Sequence, residues 1–140
     1  RTPHRNHPTD TALRRRSASR NGGRLKHADP QVLTIPPIID SALFHIFDDT
    51  DRPAYVASLH TACRPGGYVH VLALSDAGRG FGPEVSEDVI RGAFADGWEL
   101  EALDTTTYRG VVGPAQTEAI GLPAGSHVDE PAWLARARRV

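Results

Sequence analysis

The sequence is poor in several residue types, and each shortage excludes a class of protein. A single cysteine, Cys63, excludes an internal disulfide framework and indicates a reducing compartment, so we expect a cytoplasmic location. No apolar run approaches the roughly 18 residues of a membrane-spanning helix, and no apolar segment follows the basic beginning as in a secretory signal, so no membrane partner is predicted. Methionine is absent even from position 1, which leads us to expect a fragment.

Charge and hydropathy divide the sequence into two unequal parts. Residues 1–35 carry eight Lys or Arg against two Asp or Glu, whereas residues 36–140 carry eight against fifteen. Few large apolar residues precede Val32, and such a segment cannot bury enough surface to offset the entropy of ordering. We therefore expect residues 1–36 to form a disordered basic leader and residues 37–140 to form the folded part.

The leader contains the basic cluster Arg14–Arg16, which could attract phosphate groups. No aromatic residue is interleaved with it to stack on bases, and basic runs are more often simply solvated. We therefore do not expect nucleic acid as a partner. The seven histidines also lack the spacing of a metal site, so no metal is predicted.

Strand and helix signals alternate from Ile38 onward. Two prolines at 36 and 37 remove backbone donors and confine a first strand to Ile38–Asp40. The segment DDTDRPAYVASLHTACR predicts a helix with Asp51 as its cap. The stretch RPGG at residues 64–67 ends that helix and turns the chain into YVHVLALSD, which is apolar on both faces, as a strand covered by helices on two sides must be. This joint is typical of a helix that leads into a parallel strand.

A second helix and two further strands are predicted downstream. Ser86 caps the helix and Gly97 ends it, after which WELEALD alternates like a strand with one wet face. Residues 105–131, rich in Gly, Pro and Thr, are expected to form a long loop. AWLARARRV then forms a last strand that pairs with WELEALD as a long hairpin. The order strand, helix, strand, helix, strand, strand indicates an α/β fold with a mostly parallel sheet.

The stretch IIDSALFHIFDDTDRPAYVASLHTACRPGGYVHVLALSD resembles the second half of class I S-adenosylmethionine-dependent methyltransferases, especially bacterial ones that act on small molecules. The resemblance covers residues 38–140, with AFADGWELEALD as the sixth strand region of the family's sheet and AWLARARRV as its antiparallel seventh strand. It implies a partial Rossmann-like methyltransferase sheet, S-adenosylmethionine as the cofactor and a small-molecule methyl acceptor.

The family binds its cofactor mainly through a glycine-rich turn after its first strand and acidic residues after its second and third. None of these features is visible before Ile38, so the resemblance implies the C-terminal half of a methyltransferase and we expect truncation. A second hypothesis is a non-catalytic remnant or interaction module that needs another chain to complete its sheet. Loss of the first three strands would expose the edge of the fourth, which predicts self-association through that edge.

Within this resemblance, the end of the first predicted strand supplies the candidate site. The cofactor-binding residues carried over are Asp40, Ser41, Ala42 and Leu43, as a wall of the pocket. His45 is carried over as a catalytic residue that orients the acceptor or removes its proton. The alternative for Asp40 is ordinary capping of the strand end, and for His45 a helix-edge or loop histidine with no role.

A glycine-rich stretch at residues 76–82, DAGRGFG, has the spelling of the family's cofactor turn, and acidic residues follow it about 20 positions later. Residues 83–85 separate it from the helix cap Ser86, so its third glycine would not lie at the helix entrance. We therefore expect a flexible loop after the second strand and no cofactor site there.

Overall fold

The computed structural model describes residues 36–140, and the predicted basic leader, with its cluster Arg14–Arg16, lies outside the described residues except for Pro36. Strands and helices alternate along the described part of the chain. They are β1 (Ile38–Ser41), α1 (Arg52–Ala62), β2 (Tyr68–Leu74), α2 (Glu87–Ala93), β3 (Trp98–Val111), α3 (Thr117–Ile120) and β4 (His127–Arg139), with short 3-10 helices at Phe44–Ile46 and Pro114–Gln116.

The strands form one sheet in the order β1-β2-β4-β3. β1 and β2 are parallel, whereas β4 lies between β2 and β3 and runs antiparallel to both. The predicted succession of strands and helices, with an antiparallel last strand, is therefore confirmed. Because β1 and β2 are parallel, their carboxyl ends meet at one edge of the sheet, which is where ligands bind in open α/β folds.

The joint between α1 and β2 has the predicted form. Gly66 has a φ of 76°, a left-handed conformation that glycine adopts without steric cost. A Cβ atom on Gly67 would lie 2.9 Å from the carbonyl oxygen of Arg64. These two glycines therefore let the chain reverse directly into a parallel strand.

The helix caps agree with the prediction in one case and differ in the other. Ser86 caps α2, since its hydroxyl accepts a hydrogen bond from the backbone N–H of Val89 at 3.3 Å. Asp51 occupies the N-cap position of α1 but makes no capping hydrogen bond with its side chain. The carboxylate of Asp48 accepts instead, from the backbone N–H groups of Thr50 and Asp51, both at 2.9 Å. Asp51 therefore lies at the predicted N-cap position but does not make the expected capping hydrogen bond, and Asp48 instead holds the turn that precedes the helix.

α1 and α2 cover one face of the sheet. The β2 side chains Val69, Val71 and Ala73 point to this face and are at most 1% exposed. Between the helices and the sheet, the ring of Phe44 stacks on that of Phe94 with centroids 5.9 Å apart. The core therefore joins the segment after β1 to the helix that precedes β3.

The opposite face of the sheet is more open. Its β2 side chains Tyr68, His70 and Leu72 are half-buried, and Leu134 of β4, which pairs with Leu72, is 43% exposed. α1 and α2 thus leave this face of β2 uncovered, which differs from the expectation of a strand covered on both sides. The apolar residues that led to that expectation form a half-exposed surface in the described part of the chain.

The predicted long loop over residues 105–131 is wrong. β3 continues to Val111 and pairs with β4 along its whole length, apart from a bulge between Leu100 and Ala102. Threonines and a tyrosine at 105–108 are strand-forming residues, and pairing with β4 fixes them. Beyond Val111, a small second core of Val112, Ile120 and Val128 closes the hairpin.

Candidate functional site

Asp40 ends β1 with a buried carboxylate that is 4% exposed. Its Oδ1 atom accepts hydrogen bonds from the backbone N–H groups of Leu43 at 2.9 Å and Phe44 at 3.2 Å. Its Oδ2 atom accepts from the hydroxyl of Tyr55 on α1 at 2.6 Å. The carboxylate therefore fixes the turn after β1 and ties it to the following helix, as a buried charge with several donors can.

The three residues after Asp40, of which Ala42 is half-buried, form a turn at the carboxyl edge of the sheet. Ala42 has a φ of 66°, which is unfavourable for a residue with a Cβ atom, and strained backbone of this kind is common at functional sites. Ser41 is exposed and Leu43 is 43% exposed. The turn that Asp40 holds thus presents a hydroxyl and an apolar side chain at its surface.

His45 lies in the 3-10 helix after this turn and is 6% exposed. Its Nδ1 atom accepts a hydrogen bond from the backbone N–H of Leu74, at the end of β2, at 3.0 Å. Burial lowers the pKa of His45, and the nearby Asp40 carboxylate partly opposes that shift. The ring therefore bridges the carboxyl ends of the two parallel strands in its neutral form.

The predicted site residues thus lie together at one edge of the sheet. Two partners that hold them were not foreseen from the sequence, the hydroxyl of Tyr55 and the backbone N–H of Leu74. Tyr55 stands 15 positions from Asp40, and Leu74 stands 29 positions from His45, so no local pattern connects them. The parallel pairing of β1 with β2 is the signal that could have placed Leu74 beside this turn.

The glycine-rich loop at residues 76–82 is engaged with the long hairpin. Arg79 donates to the carboxylate of Glu130 from its guanidinium, with Nε at 3.0 Å, and from its backbone N–H at 3.3 Å. The ring of Phe81 packs against the second core, where a Cβ atom on Gly110 would lie 2.4 Å from it. The hairpin therefore holds the loop in place, which differs from the expected flexibility.

A groove of about 770 Å³ lies between α1 and α2, away from the predicted site residues. Arg52, His60 and Trp98 are among the residues that line it. The guanidinium of Arg52 is already paired, since it donates to Asp49 and to the carbonyl oxygen of Phe47 at 2.6 Å each. Within residues 36–140, no cluster of histidine, cysteine and carboxylate side chains could hold a metal ion, and no helix is long and apolar enough to cross a membrane.

Comparison with known proteins finds similarity at the level of structure. No family model and no curated protein matches the sequence. One similar structure comes from a study of the conversion of a disulfide bond into a thioacetal group during echinomycin biosynthesis. The alignment covers 76% of this chain and 48% of the chain in that structure, with 31% sequence identity and a TM-score of 0.60. A SAM-dependent methyltransferase from Anabaena variabilis matches 78% of this chain and 51% of its own, with 15% identity and a TM-score of 0.57.

The described sheet has the fold of the class I SAM-dependent methyltransferases. Its four strands, with the antiparallel strand inserted before the last position, form the predicted partial Rossmann-like methyltransferase sheet. The chain spans about half the length of each of these two structures.

Proposed function

We propose that this chain supplies the C-terminal half of a methyltransferase that moves a methyl group from S-adenosylmethionine to a small-molecule acceptor. One observation carries the proposal: the strained turn after β1 and the bridging histidine occupy the carboxyl edge of two parallel strands, in a sheet with the methyltransferase strand order. This edge is the ligand-binding side of open α/β sheets in general.

In this proposal the turn forms one wall of the cofactor site. Ser41 offers a hydroxyl, and Leu43 offers an exposed apolar side chain against which a flat base would pack. The carboxylate of Asp40 is already shared among three protein donors, so we assign it to shaping the turn. When bound, S-adenosylmethionine supplies an electrophilic methyl group, and this chain's share is alignment and exclusion of water.

A second candidate function is that of an interaction module whose sheet is completed by another polypeptide segment. Ala42 donates its backbone N–H to the carbonyl oxygen of Leu72 at 2.9 Å, so the alternate residues Ile39 and Ser41 direct their backbone groups away from β2. Ile39 is also 66% exposed. An edge with unpaired backbone groups and an exposed apolar side chain favours the addition of a strand.

Calorimetric titration with S-adenosylmethionine, combined with sedimentation of the same sample, separates the two candidates. Micromolar binding by a monomer supports the methyltransferase and argues against the module. A dimer or larger assembly that does not bind removes the enzymatic proposal.

A pair of variants tests the wall. Leu43→Glu should weaken S-adenosylmethionine binding at least about tenfold, because it places a carboxylate where an apolar contact is expected. Leu122→Glu changes a leucine of similar exposure, 37% against 43%, in the connection between β3 and β4 and outside the proposed wall, and should leave binding unchanged. Equal affinities for both variants would place the cofactor elsewhere.

A further inference from the structure

The groove between α1 and α2 has the size of a small-molecule site. Its volume of about 770 Å³ falls within the range of about 300–1,000 Å³ that is usual for such sites. Its floor is apolar, since Val56 of α1 and Trp98 of β3 are buried and Val89 of α2 is half-buried. The groove therefore offers apolar contact to a ligand along its floor.

The two helices that form the groove run in the same direction. β1 is parallel to β2, and β4 is antiparallel to both β2 and β3, so β3 is parallel to β2. α1 and α2 each connect two of these parallel strands, and both therefore lead from the carboxyl edge of the sheet back to its amino edge. The groove thus extends from Asp49, which precedes α1, to Asp96, which follows α2.

The two ends of the groove differ in charge. At the carboxyl edge, Asp49 forms an ion pair of 2.6 Å with Arg52, whose side chain is only 12% exposed. At the amino edge, the exposed carboxylate of Asp96 has no ion pair within the described part of the chain. α1 also ends at this edge, where the helix dipole is negative. Arg139 lies there too, but its guanidinium donates to a backbone carbonyl oxygen after α1 and does not line the groove.

Aromatic rings stand beside the acidic end of the groove. The ring of His60 packs edge-on against that of Trp98, with centroids 5.4 Å apart. Gly97 follows Asp96 in the chain, and a Cβ atom on Gly97 would lie 2.8 Å from Nε2 of His60. The two rings therefore lie next to the segment that carries the Asp96 carboxylate. Aromatic rings and a carboxylate together are suited to an organic cation.

Gly92 leaves room in the groove that no part of the described chain fills. It lines the groove in the last turn of α2, and its φ is not positive, so the backbone there does not require glycine. A Cβ atom on Gly92 would meet nothing within 4 Å, so packing among the described residues does not require glycine either. Glycine is unfavourable at an ordinary helical position. A larger side chain at this position would occupy the space that is open to a ligand.

We propose that this groove binds an amphiphilic amine, with its ammonium group at the carboxylate of Asp96 and its apolar body over Gly92, against Val56 and Val89. An ammonium group carries the charge that complements the acidic end, and the apolar floor asks for no polar partner. The inference is independent of the proposed methyltransferase function, because the groove lies away from the predicted cofactor-binding and catalytic residues.

Phenethylamine is a suitable probe, and hydrocinnamate has a similar shape with the opposite charge. In nitrogen NMR of the labelled full chain, phenethylamine should shift the Gly92 amide and Trp98 indole signals. It should bind at least about fivefold more tightly than hydrocinnamate, and at least about tenfold more tightly than methylamine, which lacks the apolar body. Equal affinities for the amine and the acid, shifts confined to residues outside the groove, or no binding at millimolar concentrations would overturn the proposal.

A pair of charge variants tests the ammonium site. Asp96→Asn should weaken phenethylamine binding at least about threefold, because an exposed ion pair is lost. Asp88→Asn removes an exposed carboxylate of α2 that does not line the groove and should leave the affinity unchanged. An equal loss in both variants would show that the amine responds to overall charge, and would contradict a site at Asp96.

Filling the groove tests the place of the apolar body. Gly92→Leu should weaken phenethylamine binding at least about tenfold, while the urea midpoint of unfolding stays equal or rises, because leucine favours a helix and a Cβ atom meets nothing there. Ala57→Leu blocks the groove from α1, and Ala54→Leu is the control, since Ala54 is exposed on α1 but outside the lining. Unchanged binding in both blocking variants, or the same loss in the Ala54→Leu control, would overturn the proposal.

Discussion

Asp40 joins three parts of the chain through two carboxylate oxygens, and Tyr55 is the one titratable donor among its partners. Burial raises the pKa of Tyr55 well above its usual value, and the hydrogen bond to the Asp40 carboxylate adds to the shift. The native state thus favours the neutral hydroxyl more than the unfolded chain does. This contribution to stability is fully present below a pH of about 10 and is lost as the pH rises through the folded pKa.

We therefore expect the free energy of unfolding to fall above a pH of about 10, and Tyr55→Phe to remove that part of the decline. Urea unfolding across alkaline pH measures both. Tyr68→Phe serves as the control, because the Tyr68 hydroxyl only makes a weak contact with Glu101 at 3.4 Å on the other face of the sheet. The same loss of pH dependence in both variants would show that Tyr55 is not the responsible group.

Ala42 gives a second prediction at the scale of one residue. Its left-handed backbone strains a residue with a Cβ atom, so Ala42→Gly should stabilise the chain by about 1 kcal/mol. Ala57→Gly, in the exposed interior of α1, should destabilise it by about 1 kcal/mol, because there glycine only adds backbone entropy to the unfolded state. Denaturant titrations of the two variants should therefore move in opposite directions. Destabilisation by Ala42→Gly would show that the turn does not store this strain.

At the scale of elements, the glycine-rich loop and the long hairpin depend on each other. Gly110 on β3 leaves room for the ring of Phe81, which a Cβ atom would approach to 2.4 Å. Gly110→Ala should therefore cost about 1–3 kcal/mol of unfolding free energy. The cost should fall by at least about 1 kcal/mol in a Phe81→Ala background, where the ring is absent. Additive effects in this double-mutant cycle would contradict the contact.

The same two elements show where a single sequence was informative. The helix after Asp51, the glycine joint before β2 and the Ser86 cap rest on residues close together in the chain, and their patterns predicted them. The pairing of WELEALD with AWLARARRV was predicted in the same way, but the extension of β3 over residues 105–111 was not. This Thr-rich segment is fixed by pairing with β4 and its end by packing on Phe81, which are contacts between segments far apart in the chain. The turn after β1 lies between these cases: the alternative of strand-end capping by Asp40 was foreseen, but Tyr55 and Leu74 as partners were not.

For the molecule as a whole, the feature that matters most is the outer edge of β1. β1 is the first strand in the sheet order, so one of its sides has no strand beside it among the described residues. Three exposed apolar side chains lie on β1 and in the segment that follows it, next to the candidate site. They are Ile39, Leu43 and Ile46, which are 66%, 43% and 53% exposed. The proposed cofactor wall and the proposed site of strand addition thus share one region of the surface.

Because the two proposals share this region, we expect copies of the chain to associate through the β1 edge, next to the candidate site. Ile39→Lys should weaken self-association of the full chain at least about tenfold in sedimentation velocity experiments, because a charge on a strand edge disfavours pairing with another strand. Val111→Lys alters a residue of comparable exposure, 54%, at the far end of β3 and should leave the association unchanged. If both variants associate like the parent chain, the contact between copies does not use the β1 edge, and the candidate function as a sheet-completing module would lose its structural basis.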